Sequence, residues 1–267
     1  MKPLIHFAHA NGVPSRVYEK MFSALRDEYD VIYVPLLGPD KRYPVDNNWQ
    51  SLTQQVIDSI VRQAQGRPVI ALGHSLGAVL SFQAALQRPE LFSQVIMLDP
   101  PLIMGKDAFV LHMAKLLGMT KMLDKMSPAG LSKRRRDHWE SREQAAESLR
   151  PKGFYANFDA DCFRAYIDHA LMDDPVRGGV QLTISKWDEV AVFRTNSSRW
   201  WLPQSKPQVP VHMLAAAKGP FVPRHYPEIL QKKMGVPFSL WDGAHMFPLE
   251  QPVEVAARIK DIIAQQA

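Results

Sequence analysis

Residues 68–87, read from Pro68 through Val69-Ile70-Ala71-Leu72-Gly73-His74-Ser75-Leu76-Gly77 to Gln87, decide the fold. The apolar run Pro68–Leu72 predicts a buried strand, and Leu76–Gln87 predicts a helix. Between them Gly73-His74-Ser75-Leu76-Gly77 forms G-x-S-x-G, the pattern of a nucleophile elbow. A strand that turns this sharply into a helix strains its middle residue, and side chains two positions to either side would collide. Glycine at 73 and 77 removes that collision. Ser75 is thereby lifted to a helix N-terminus, where free N–H groups and the helix dipole favour developing negative charge. The bare pattern recurs by chance, and the strand–turn–helix context gives it weight.

The same alternation runs outward from the elbow. Pro3–Ala8, Asp30–Leu36 and Gln94–Leu98 read as further strands, with helices over Ser15–Asp27 and Trp49–Gln65. The strands show little polar alternation, as expected of a parallel sheet covered on both faces. After Pro100-Pro101 the pattern breaks. Residues 102–203 read as helical with few strand signals, most clearly over Ala108–Met126, Lys133–Leu149, Asp161–Leu171 and Trp187–Phe193. Strands return at Val209–Ala215 and Pro237–Trp241, with helices near Arg224–Met234 and Val253–Ile263. The expectation is an α/β core over 1–101 and 203–267, interrupted by a helical cap over 102–202.

Composition narrows the function classes. A chain of 267 residues with 46% hydrophobic and 22% charged residues is an ordinary globular protein, neither a disordered tail nor a disulfide miniprotein. Cys162 is the single cysteine, so an intrachain disulfide and a cysteine-built zinc site are excluded. No apolar stretch is long enough to span a bilayer, and Leu4–Ala10 is too short for a signal core. The reading is cytoplasmic, without integral membrane association. The net charge of +5 is concentrated in the insertion, where residues 102–206 hold 17 Lys and Arg against 13 Asp and Glu. Lys133-Arg134-Arg135-Arg136 is its centre, and acids at 137, 140, 143 and 147 follow at helical spacing. A solvated helix face explains this better than a nucleic-acid site, which would interleave aromatics with a wider basic stripe.

Three separated segments, His9-Ala10-Asn11-Gly12, the elbow at 73–77, and Gly243-Ala244-His245 followed by Glu250-Gln251-Pro252, resemble the α/β-hydrolase superfamily in its cap-bearing, serine esterase-like branch. The resemblance covers residues 3–100 and 207–265. It implies an α/β-hydrolase fold with a mainly parallel sheet of about six strands, the usual N-terminal hairpin being absent, and a helical cap. A serine hydroxyl needs a neighbouring base to attack at neutral pH. Among nine histidines, His245 stands in the loop after the strand Pro237–Trp241, where the family places that base. His6 reads as packed within a strand, and the His74 side chain as pointing away from Ser75.

The acid departs from the common pattern. Its usual segment corresponds to residues 215–223, and anchoring on Val222-Pro223 puts Gly219 at the acid's place. Asp99, at the end of the strand Gln94–Leu98, is the alternative the family also uses. It would fix the His245 tautomer in the order Ser75, Asp99, His245. A carboxylate there also suits capping the turn into Pro100. Asp242 is the second candidate, with Glu189 and Asp188 from the cap more remote. For the oxyanion hole, the resemblance implies the Leu76 N–H together with that of Asn11, ahead of Ala10.

The insertion holds half of the twelve methionines. The set Phe109, Val110, Met113, Leu116, Leu117, Met122, Leu123 and Met126 gives an apolar face at helical spacing. It suits packing on the core, lining an acyl pocket, or a membrane surface with a basic rim. The function expected is cleavage of a carboxylic ester or related acyl compound, with no cofactor. The substrate would be a small molecule with an apolar acyl or alkyl part, and a homodimer is the candidate assembly. Thioesterase, lactonase, C–C hydrolase and cofactor-free haloperoxidase chemistry would share the triad, and a receptor-like protein would keep the site without turnover. The serine argues against dehalogenases and epoxide hydrolases, which use Asp at the elbow.

Overall fold

In a computed structural model that describes residues 1–266, the apolar runs form a wholly parallel six-stranded sheet ordered β2-β1-β3-β4-β8-β9. Ala267, assigned above to the core, lies outside the described residues. Four strands precede the insertion: β1 (Leu4–Ala8), β2 (Asp30–Tyr33), β3 (Val69–His74) and β4 (Phe92–Leu98). Three short ones lie within it: β5 (His138–Trp139), β6 (Leu171–Asp173) and β7 (Val180–Leu182). The sheet is completed by β8 (Val211–Ala216) and β9 (Phe238–Trp241).

Alternate residues of the central strands feed two apolar layers. Ile5, Phe7, Ile70, Leu72, Ile96 and Leu98 face α1 (Glu19–Leu25) and the long C-terminal helix; Leu4, Ala8, Val69, Ala71, Val95 and Met97 face α2 (Gln50–Ala64) and α3 (Leu76–Gln87). Register aligns the carboxyl ends: Ala8 pairs with Gly73, His74 with Leu98, and Leu98 with Leu214. The loops that follow β1, β3, β4 and β9 therefore converge on one edge, where ligands gather in open α/β sheets.

Between β4 and β8 lie α4 (Gly105–Leu116), α5 (Thr120–Met126), α6 (Ala129–Arg134), α7 (Arg142–Leu149), α8 (Ala160–His169) and α9 (Lys186–Arg194). The later helices are α10 (Tyr226–Met234), α11 (Phe247–Glu250) and α12 (Pro252–Gln266). Trp139, Tyr155, Phe158 and Tyr166 of the insertion share one apolar cluster with Phe7, Tyr18 and Phe22. Lys20 reaches Asp159 and Asp161 at 2.7 and 3.0 Å, closing that seam from outside.

The insertion differs from its helical reading. It contains an antiparallel sheet, β5-β7-β6, and the expected helix Lys133–Leu149 is split by β5. Two- and three-residue strands are too short to carry a periodicity, and the partner of β5 lies some 40 residues away in sequence. The expected helix Ala108–Met126 breaks where Gly118 takes φ +61°. Ser15–Asp27 begins as a single 3-10 turn over Ser15–Tyr18 before α1. Among the described residues no helix is long and apolar enough to cross a membrane.

Three histidines are buried uncharged in this core. Burial lowers His6 to about 3 and His9 to about 4, and pulls His74 well below its ordinary value. These groups take up protons only on unfolding as the pH falls below 6.5, the unfolded value. Their stability is complete above that pH and is lost at about 1.4 kcal/mol per pH unit for each. Urea unfolding between pH 6.5 and 4.5 is thus expected to show stability falling steadily as the pH is lowered, by at least about 1.4 kcal/mol per pH unit below about pH 6. A flat profile across that range would refute the assignment of neutral buried imidazoles.

Candidate active site

Ser75 sits at the tip of β3 with φ +54° and ψ −117°, a conformation that costs a non-glycine residue about 1–3 kcal/mol. The flanking glycines are required by close approach. A Cβ on Gly73 would lie 2.4 Å from the Gly77 carbonyl oxygen, and one on Gly77 would lie 2.0 Å from that of Ala8. The Ser75 N–H donates to Leu98 O at 2.9 Å, and the Gly77 N–H donates to His9 O at 3.1 Å. The second bond ties the elbow to the loop after β1.

Three side chains from three loops form one row. His245 Nε2 lies 3.0 Å from Ser75 Oγ, and His245 Nδ1 lies 2.5 Å from Asp99 Oδ2. Asp99 is buried, and its Oδ1 accepts from the Ala216 N–H at 2.9 Å. Its backbone is strained as well, with φ +40°. With Oδ1 occupied by a donor, Oδ2 is left to accept from Nδ1–H of His245. The remaining imidazole nitrogen then faces Ser75 as an acceptor.

Gly219, where the resemblance places the usual acid, stands against this carboxylate. A Cβ there would lie 3.1 Å from Asp99 Oδ2. The two sequence positions thus converge on one point in space. The other acids lie elsewhere. Asp242 projects into solvent and pairs with Lys218 at 2.9 Å, Asp188 binds Ser185 Oγ at 2.8 Å, and Glu189 is held by Arg135 at 2.6 Å.

The Leu76 N–H, first in α3, has no acceptor within the helix. Among the described residues no hydrogen bond engages the Asn11 N–H, whereas that of Ala10 is directed at the Tyr18 hydroxyl at 3.4 Å. The bonds of His9 shape this loop: it spans from Ala10 O (2.7 Å) to the Leu37 N–H (2.8 Å).

Two groups of residues support the site in roles that the sequence does not indicate. His74 Nε2 lies 2.9 Å from the carbonyl of His245, and its Nδ1 lies 2.7 Å from Tyr18 Oη. A carbonyl only accepts, so Nε2 carries the proton and Tyr18 donates to Nδ1. His74 thereby fixes the main chain of the His245 loop. The second group is Arg135 and Glu189. Glu189 is buried, and burial raises its carboxyl against the opposing pull of Arg135. Its carboxylate lies over Gly12, where a Cβ would meet Oε1 at 2.5 Å, and its carbonyl accepts from Asn11 Nδ2 at 3.1 Å. Arg135 also reaches Tyr166 Oη at 3.2 Å. No local signal marks either group, because their partners are distant in the chain.

Removing one member of a buried ion pair leaves an uncompensated charge. Arg135→Ala is therefore expected to lower stability by about 3–5 kcal/mol, while Arg135→Met with Glu189→Met stays within about 1 kcal/mol of the native chain. Urea denaturation of both variants checks this. Equal losses in the two would show that packing rather than charge governs the site.

The chain belongs to the alpha/beta hydrolase family, whose model matches residues 7–258. It is 37% identical over 84 residues to the uncharacterized hydrolase YugF of Bacillus subtilis (strain 168), a match covering 30% of each chain. It is 22% identical over 182 residues to the type I acyl-CoA thioesterase mpaH of Penicillium brevicompactum, covering 62% of this chain and 39% of that protein. These matches span less than half the length of either curated relative. Among solved structures, an E-2-(acetamidomethylene)succinate hydrolase superposes with a TM-score of 0.73 at 21% identity, over 99% of this chain and 92% of that one.

Proposed function

We propose that the protein is a serine hydrolase that cleaves a carboxylic ester or related acyl compound through an acyl-enzyme. The row Asp99–His245–Ser75, with its 2.5 and 3.0 Å separations, carries this reading. Ser75 Oγ attacks the acyl carbonyl while its proton passes to His245 Nε2. The carbonyl oxygen becomes an oxyanion facing the N–H groups of Leu76 and Asn11. Asp99 stabilises the imidazolium, which then protonates the leaving group as its bond to the acyl carbon breaks. Water, deprotonated by His245, attacks the acyl-enzyme, and Ser75 regains its proton as the acid leaves.

A thioester substrate is the second reading, supported by the similarity to an acyl-CoA thioesterase. A division into core and cap over 102–202 suits either, since the inserted elements overlie the loop holding Asn11. A fluorophosphonate probe tests the common chemistry: wild type should be labelled at Ser75, and Ser75→Ala should not. Wild type that resists the probe would sink the proposal. A panel of short and long acyl esters, a thioester, a lactone and a β-diketone then separates the substrate classes. Micromolar binding of an acyl compound without turnover would identify a receptor-like protein instead.

A further inference from the structure

The apolar set expected at 109–126 to pack on the core, line a pocket or meet a membrane is largely turned toward solvent. In α4, Ala108, Leu111 and Ala114 are buried and the half-covered Phe109 ring meets Trp201 edge-on at 5.2 Å, while Val110 and Leu116 are exposed. Leu116 and Leu117 are 69% and 66% exposed, and Leu131 of α6 is 70% exposed. Of the eight residues, Leu123 alone is buried. Large apolar side chains exposed together in this number ordinarily mark a contact with protein or lipid. Here α4 packs mainly against α5 and the 3-10 turn at Arg199–Trp201, α5 in turn lies against α6, and the side that carries Val110, Leu116 and Leu117 is exposed.

Charge selects what covers the other side. Lys106, Lys121, Lys125, Lys133 and Arg134 are exposed on these three helices, and none of them takes an ion-pair partner among the described residues. Both acids of the segment are neutralised. Asp107 binds Arg224 and Tyr226 at 3.1 and 2.8 Å, and Asp124 takes two bonds from Arg194 at 2.7 Å. The sixth base, Lys115, turns inward to Asn48 and Asn196. The surface thus combines large apolar side chains with cations and offers no free anion. A second copy of the chain on this face would set like charges opposite one another. A nucleic acid would leave Leu116 and Leu117 in contact with phosphate.

We propose that the outer faces of α4, α5 and α6 dock on the surface of an anionic phospholipid bilayer. Leu116, Leu117 and Leu131 enter the boundary between headgroups and acyl chains, and the surrounding lysines meet lipid phosphates. The association is peripheral and reversible, and it does not depend on the chemistry of Ser75.

Flotation with vesicles of phosphatidylcholine alone, or with about 30% phosphatidylglycerol, tests this directly. The full chain should partition at least about tenfold more strongly onto the anionic vesicles, and about 0.5 M salt should weaken that binding. Leu116→Glu with Leu117→Glu should reduce it at least about tenfold, and Lys121→Glu with Lys125→Glu should remove the preference for anionic lipid. Both pairs are exposed, and unchanged thermal unfolding verifies their fold. Ser75→Ala should bind vesicles like wild type, so a failure of the hydrolase reading would leave this one intact. Equal partitioning onto both vesicle types, or binding indifferent to the leucine substitutions, overturns the proposal. So does a dimer in solution that the leucine substitutions dissociate while vesicles recruit no protein, or saturable binding of an acidic protein in place of vesicles.

Discussion

Ser75→Ala is expected to lower kcat on the best acyl substrate by a factor on the order of 10^6, leaving only the residual rate from binding and the oxyanion donors. KM should change little, because Oγ contributes to bond formation far more than to ground-state binding. The backbone supplies an independent check. Ser75 is held at φ +54° and ψ −117°, and alanine in that conformation keeps the strain. Ser75→Gly should therefore be as inactive as Ser75→Ala, yet more stable by about 1–2 kcal/mol. Steady-state kinetics and urea unfolding of the pair measure both effects. If Ser75→Ala retains activity within tenfold of wild type, the nucleophile lies elsewhere.

Asp99→Asn should cost about 10^4 in kcat, and the geometry explains why an isosteric change does so much. The Ala216 N–H donates to Oδ1, so an amide at 99 must place its oxygen there. Its NH2 then faces His245 Nδ1, which has to become the acceptor. The imidazole proton is forced onto Nε2, where Ser75 needs a base. Asp242→Asn, by contrast, should leave kcat within about twofold, since that side chain is a solvent-exposed partner of Lys218. A loss in Asp242→Asn comparable to that in Asp99→Asn would count against Asp99. The position of Gly219 adds a rescue. It lacks the left-handed backbone of several other glycines and faces Asp99 Oδ2, so a carboxylate there approaches the same imidazole nitrogen. Asp99→Gly with Gly219→Asp is expected to recover at least about tenfold over Asp99→Gly alone.

Much of this was written locally. The strand runs carry no polar alternation because helices cover both faces of the sheet, so Leu4–Ala8 and Val69–His74 could be read with ends displaced by only one or two residues. The elbow was legible because its constraint lies within five residues. The insertion was not. Strand β5 is two residues long and is stabilised by a partner some forty residues away, which leaves no period to detect. The roles of Arg135, Glu189, His74 and Tyr18 were hidden for the same reason. Arg135 looked like one more base in a charged run, and its inward turn toward Glu189 depends on how α6 and α9 pack.

By itself the sequence determined the α/β alternation and the serine at the strand–helix turn, since each rests on spacing within a few residues, and the family resemblance added the sheet of about six strands. Tertiary structure decided which carboxylate reaches His245, because register between β3, β4 and β8 brings the ends of those strands together. It also decided which side of α4 faces water. An apolar helix has the same pattern whether it is covered or bare, and only its packed neighbours distinguish the two.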